Sequence, residues 1–183
     1  RKDVIGFNEI YKQLSLMKLG IYTPASYILS SRIYKYDELN ASDLEGAQLN
    51  ISLSGREKGI QSLMSVNLLK RLESSVYAFR KTLGKLRSNH LEILEKVEQY
   101  NRTGIDATFA DLSGAIESAE PDENEIFDPE DENLGGKLQI RLSDMDLKSW
   151  EHDLQVDLQI IEGLLSEMEK VSPDDDTKLQ HLK

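Results

Sequence analysis

The most regular pattern in the chain runs through residues 69–100. Leu69, Leu72, Val76, Phe79, Leu83, Leu86, His90, Ile93, Val97 and Tyr100 recur at alternating steps of three and four. Such spacing is the seam of a helix packed on another helix, and His90 is its one polar member. Leu63, Met64, Val66, Leu68, Leu91 and Leu94 widen the apolar face at both ends, so more than one packing partner is expected. Gly84 falls inside this helix at a cost of roughly 1 kcal/mol relative to alanine. The surrounding leucines outweigh that cost, and close approach of another backbone would explain the glycine.

A second stripe, Leu147, Trp150, Leu154, Leu158, Ile161, Leu165 and Met168, predicts another long helix. Ser143 and Asp146 form a loose capping box ahead of it, and Pro173 ends it. The run Asp174-Asp175-Asp176 then caps a further helix near Thr177. Toward the N-terminus, Val4, Phe7, Ile10, Tyr11, Leu14 and Met17 predict a helix over residues 3–19, with Asp3 as N-cap and Gly20 as stop. Pro24 is placed to start a short second helix. Residues 32–36 and 137–142 alternate apolar and polar, as short strands do, and could pair as a ribbon. Residues 37–55 read as polar and irregular, with room for a brief helix near Asp43.

These elements predict a single, mainly α domain: an antiparallel long-helix hairpin or bundle with a short two-stranded ribbon and an acidic loop. Its parts are N-terminal helices and a short strand over residues 1–55 and a long basic helix over 56–101. An acidic insert over 102–136 and a strand plus long helix over 137–171 follow. Residues 172–183 begin a further helix. Isolated, neither seam would be stable in water, so the long helices must bury each other or a partner.

Charge changes this picture. The 183 residues carry a formal charge of −11, which by itself disfavours a general nucleic-acid binder. Residues 102–136 hold eleven acids against Arg102 alone, a balance of −10, and account for almost all of it. Residues 56–102 have ten bases against five acids. The acidic insert reads as a solvated loop with some local helix around residues 106–119, or as an acidic lid or nucleic-acid mimic over a basic surface. A calcium loop from Asp122 fails, because Phe127 stands where the turn needs glycine and Asn133 where the bidentate Glu belongs.

Catalytic chemistry is hard to find. There is no cysteine, which removes thiolate metal sites, disulfides and thiol nucleophiles and suits a cytoplasmic location. Gly84-Lys85 and Gly136-Lys137 are each followed by Leu, so no phosphate loop is encoded. His90, His152 and His181 share no metal-ligand spacing, and His90 reads as a packed core histidine. No apolar run is long enough to span a bilayer and no signal-peptide pattern opens the chain. The first residue is Arg1, so the chain reads as a piece of something larger.

The basic stretch is the one functional candidate. Lys70, Arg71, Arg80, Lys81, Lys85 and Arg87 lie off the seam, with Glu73 their sole acidic neighbour. On an unbroken helix Lys70 and Lys81 fall on nearby faces. The stretch reads either as an ordinary solvated face or as a surface that docks on phosphates or an acidic partner.

Leu68-Leu69-Lys70-Arg71-Leu72-Glu73-Ser74-Ser75-Val76-Tyr77-Ala78-Phe79-Arg80 resembles the segment between the two RecA-like motor lobes of bacterial Swi/Snf-type helicase ATPases, including those with a phospholipase-D-like domain. Residues 145–154 look like the same family, and residues 175–183 are similar to its helix leading into the second lobe. The resemblance implies a helical insertion domain of an ATP-dependent DNA helicase or translocase, without catalysis of its own. ATP and Mg are then expected in the parent protein and no cofactor in this fragment. The implied partners are the motor lobes of the same chain and duplex DNA, with no membrane partner and a monomer favoured over a dimer. Lys70, Arg71 and Arg80 are the matching basic positions, and with Lys81 they are the candidates for contacting DNA or a lobe. A coiled-coil adaptor or dimerisation module is the alternative.

Overall fold

The computed structural model describes residues 5–36, 49–111 and 138–171. Four helices carry the fold: α1 (Phe7–Ser15), α2 (Leu49–Ser74), α3 (Val76–Thr103) and α4 (Leu147–Glu169). A short 3₁₀ helix, Pro24–Tyr27, follows α1, and a two-stranded ribbon of β1 (Thr108–Asp111) and β2 (Leu138–Arg141) joins α3 to α4. The expected mainly α body with a small ribbon is what forms. No helix among the described residues is long and apolar enough to cross a membrane.

α3 and α4 pack against each other along the seam of α3 and most of the second stripe, where Leu158 and Leu165 are half-buried and Asp157 and Leu164 take the inner positions. Contacts between Arg87 and Glu162, and between His90 and Asp157, run in opposite senses along the two helices, so the hairpin is antiparallel. Phe79, Leu83, Leu86, His90 and Val97 of α3 are fully buried, as are Trp150, Leu154, Ile161 and Met168 of α4. α2 packs on α3, α1 and the 3₁₀ turn, and its Met64, Leu68 and Leu72 are buried. Val66 and Leu91 lie outside this core, 44% and 40% exposed, and do not widen the apolar face as expected.

The predicted single helix over residues 56–101 is two helices, and the first begins at Leu49 within the stretch read as irregular. Ser75 divides them. Its backbone is extended (φ −168°, ψ 152°) and its Oγ accepts the Ala78 N–H at 2.9 Å, capping α3. A Ser-Ser pair offers the backbone this alternative partner, and a heptad count cannot see it. At the other end Gly104 takes φ +74° and closes the helix through its N–H on the Tyr100 carbonyl.

Residues 32–36 are not a strand. Arg32 N–H donates to Leu29 O, Lys35 N–H to Arg32 O and Tyr36 N–H to Ile33 O, so the segment turns, and residues 34–36 are helical. The turn puts Arg32, Lys35 and Tyr36 around the Asp144 carboxylate, which an extended strand would not do. β2 therefore pairs with β1 instead, antiparallel, with Phe109 opposite Ile140. β1 lies inside the segment read as solvated loop or local helix. It forms because Phe109 is nearly buried and meets Trp150 edge-on at 5.3 Å, while Lys96 covers its other side.

The helix ends also depart in detail. α1 starts after Gly6 and stops at Ser15, five residues before Gly20, with Leu16 and Met17 closing it through i−3 bonds. Asp146, not Ser143, caps α4, while Ser143 bonds Asp106 across the base of the ribbon. Asp3, Asp43, the insert from 112 to 137, Pro173 and the segment from Asp174 onward lie outside the described residues.

Two glycines have opposite meanings. A Cβ at Gly20 would meet the Tyr27 hydroxyl at 2.8 Å and its ring at 3.1 Å, whereas one at Gly84 would meet nothing within 4 Å. No backbone of the described residues approaches Gly84. Gly20→Ala should therefore cost roughly 1–3 kcal/mol by overpacking, while Gly84→Ala should gain about 0.5–1 kcal/mol through helix propensity. Urea unfolding of the two variants checks both signs; a destabilising Gly84→Ala contradicts this packing.

Candidate functional site

Lys70 and Arg71 close α2, and Arg80 and Lys81 lie in the second turn of α3. The extended backbone at Ser75 separates the pairs, so the phase of an unbroken helix, which set Lys70 beside Lys81, does not carry across. What the break produces is a junction of two helix ends with a basic pair on each. Lys70, Arg80 and Lys81 are exposed and Arg71 is half-buried. Among the described residues none of the four forms an ion pair. Arg87, by contrast, is engaged by Glu162 at 3.2 Å on the rim of the seam. Residues 74–91 contain no acid, and Tyr77 stands 74% exposed on the same stretch. Such a surface can hold phosphates or carboxylates by charge, and its arginines can do so with two parallel N–H bonds.

Inside the body lies a polar node that the seam pattern does not announce. Asp157 of α4 is fully buried, and its two oxygens accept the backbone N–H groups of Lys18 (2.8 Å) and Leu19 (2.7 Å). Leu19 takes a positive φ of 54°, which turns the chain after α1 toward the carboxylate. Burial is the main force on Asp157 and pushes its carboxyl up to about 6; the two N–H bonds oppose it. His90 faces the same node, with Nε2 4.0 Å from Asp157 and Nδ1 2.7 Å from the Leu86 carbonyl. Burial lowers its imidazole below the ordinary value, against the helping bond to Leu86. His90 is thus a packed core histidine, as the seam suggests.

A third cluster anchors the turn over residues 29–36. Asp144 is nearly buried and accepts from the Tyr36 hydroxyl (2.5 Å) and the Lys35 ammonium (3.1 Å), with Arg32 at 3.8 Å. Burial works to raise Asp144, but the Tyr36 and Lys35 bonds and the Lys35 and Arg32 charges outweigh it and hold the carboxyl below its ordinary range. Burial and the bond to Asp144 raise the Tyr36 phenol, whose oxygen also accepts the Arg141 N–H.

Among the described residues no three His, Asp or Glu side chains are grouped to hold a metal ion. A groove of about 530 Å³ between α1 and α4 is lined by Ile5, Glu9, Gln13, Gln159, Glu167 and Lys170 among others, and its Lys170 is held by Glu167 at 2.9 Å in an ordinary exposed i, i+3 ion pair. His152 is exposed on α4, far along the chain from His90. The basic junction was legible from charge. Asp157 was not, because one acid inside an amphipathic helix reads as a surface residue; its phase, one turn from Leu154 and Ile161, was the available signal.

No family model matches the chain, and searches of curated proteins and solved structures return no significant match.

Tyr36→Phe deletes one buried hydrogen bond to Asp144 and the acceptor for Arg141. It should cost about 1–3 kcal/mol at pH 7. Asp144 is depressed in the folded state, so its contribution is present above the unfolded carboxyl value near 3.9 and is lost as pH falls through the folded one. The gap between wild type and variant in urea unfolding should narrow below about pH 4; a gap constant from pH 7 to pH 3 counts against the Tyr36–Asp144 bond.

Proposed function

We propose that this chain is a helical insertion domain of an ATP-dependent DNA helicase or translocase, seated between two RecA-like motor lobes. It couples the lobes or faces DNA through Lys70, Arg71, Arg80 and Lys81, and hydrolyses nothing itself. The observation that carries the reading is the basic junction at Ser75, four cations with no ion-pair partner among the described residues, on a body whose apolar seam is closed from within. The stretch that resembles the inter-lobe segment, residues 68–80, spans this same junction. A 28-residue α3, about 42 Å long and fixed along its length by α4, suits a lever between moving parts. ATP and Mg belong to the parent protein's lobes on this reading.

The adaptor alternative would use the seam for a second copy. Leu83, Leu86, Val97 and Ile161 are already fully buried against other parts of the same chain, so that surface is spent. The proposal accordingly favours a compact monomer.

Purified alone, the chain should sediment as a monomer and show no ATP hydrolysis with or without duplex DNA, while the intact protein shows DNA-stimulated hydrolysis. Hydrolysis by this chain alone would sink the reading, and an elongated dimer would favour the adaptor. Low-salt binding to duplex DNA should be weak against a net charge of −11. It should weaken further in Arg71→Ala and Arg80→Ala, with the salt dependence falling by about one counterion per lost phosphate contact. An affinity unchanged in both variants removes these residues from any DNA-facing role.

A further inference from the structure

We propose that His90 and Asp157 form one buried proton-binding site, and that filling it on acidification draws α3, α4 and the turn after α1 together. The site follows from hydrogen-bond arithmetic. His90 Nδ1 stands 2.7 Å from the Leu86 carbonyl oxygen, which only accepts, so Nδ1 carries the ring proton. Nε2 of the neutral ring is then a bare lone pair, fully buried and without a hydrogen-bond partner. It looks at Asp157 Oδ2, 4.0 Å away, also an acceptor when ionised. Two buried acceptors facing each other repel, and each keeps the other from closing.

A single added proton reverses this. Placed on Asp157 it donates from Oδ2 to Nε2; placed on His90 it donates from Nε2 to Oδ2. Either way the contact becomes a hydrogen bond, and the gap closes by about 1 Å to a normal length. Oδ2 also accepts the Leu19 N–H, so the movement is passed to the turn after α1.

The charged surroundings decide where the proton goes. Lys18, in the turn, favours the carboxylate, and Asp153, one helical turn before Asp157 on α4, disfavours it while accepting from Tyr27 of the 3₁₀ helix. α3 adds beside His90 only the uncharged Asn89, and α2 turns Met64, Leu68 and Leu72 inward. Burial lowers the imidazole and raises the carboxyl to about 6, so both shifts favour the proton on Asp157.

The sign of the stability effect follows for each partner. Asp157 is raised in the folded state, so its contribution is full below the unfolded value near 3.9 and is lost as pH rises through about 6. His90 is lowered, so acid below its unfolded value near 6.5 favours unfolding. Between roughly pH 4 and 6 the two oppose. The inference does not rest on the proposed helicase role.

Nitrogen-15 NMR of the histidines and carbon-13 NMR of the aspartates in the whole chain, from pH 8 to pH 4.5, test it. Nε2 of His90 should pass from a bare to a hydrogen-bonded signal with the same midpoint as the Asp157 carboxyl. In Asp157→Asn the amide donates at every pH, so the His90 signal should be hydrogen-bonded throughout. In His90→Leu the opposing histidine is gone, so the folding equilibrium relative to wild type should rise as pH falls from 7 to 4. Separate midpoints, or a His90 signal that Asp157→Asn leaves unchanged, overturn the proposal. Should Asp157→Asn fail to fold, the wild-type midpoints and the His90→Leu series decide it.

Discussion

The structure depends on how one fully buried indole is satisfied. Trp150 is the chain's single tryptophan, and its N–H must find an acceptor once it leaves water. The Gly20 carbonyl supplies one at 2.9 Å. That bond fixes the turn after α1 onto α4, and the missing Cβ at Gly20 lets the Tyr27 ring lie alongside. Phe109 covers another edge of the indole and thereby seats the ribbon. Three separate pieces of sequence thus converge on one side chain. Asp157, two helical turns further along α4, repeats the device by holding Lys18 and Leu19, so the same turn is anchored twice.

The parts legible in the sequence were those with a long period. The seam from Leu72 to Val97 is buried as its spacing requires, as are Trp150, Leu154, Ile161 and Met168 of the second stripe, while Leu158 and Leu165 are half-buried and Asp157 and Leu164 lie inside. Burial of one helical face is a sum over many residues and tolerates such shifts. The parts that escaped were decided by single contacts at long range. Residues 32–36 alternate like a strand, yet Tyr36 and Lys35 gain more by reaching Asp144. Thr108–Asp111 carries one large apolar residue amid acids, and only the position of Trp150 makes Phe109 worth burying. Ser75 satisfies its own cap and breaks a helix that the heptads run straight through. The basic side chains were found from charge alone, while their grouping at two helix ends required the break.

Charge is divided unevenly along the chain. The excess acidity sits between Arg102 and Gly136, whereas the helical body is nearly neutral and its outward junction is basic. A total of −11 is therefore a poor guide to what the surface of α2 and α3 can meet. Closing the apolar seam within the chain leaves polar contact as the chemistry available at Lys70, Arg71, Arg80 and Lys81, and that is the chemistry the proposed coupling role needs.

The central claim is that Trp150 joins α1, the ribbon and the helical hairpin into one cooperative body. Urea unfolding followed simultaneously by Trp150 fluorescence and far-ultraviolet circular dichroism tests it most directly. Native emission should be blue-shifted, and the two transitions should coincide with one midpoint. Exposure of Trp150 at lower urea than the loss of helix would contradict it, since the indole would then not hold the body together.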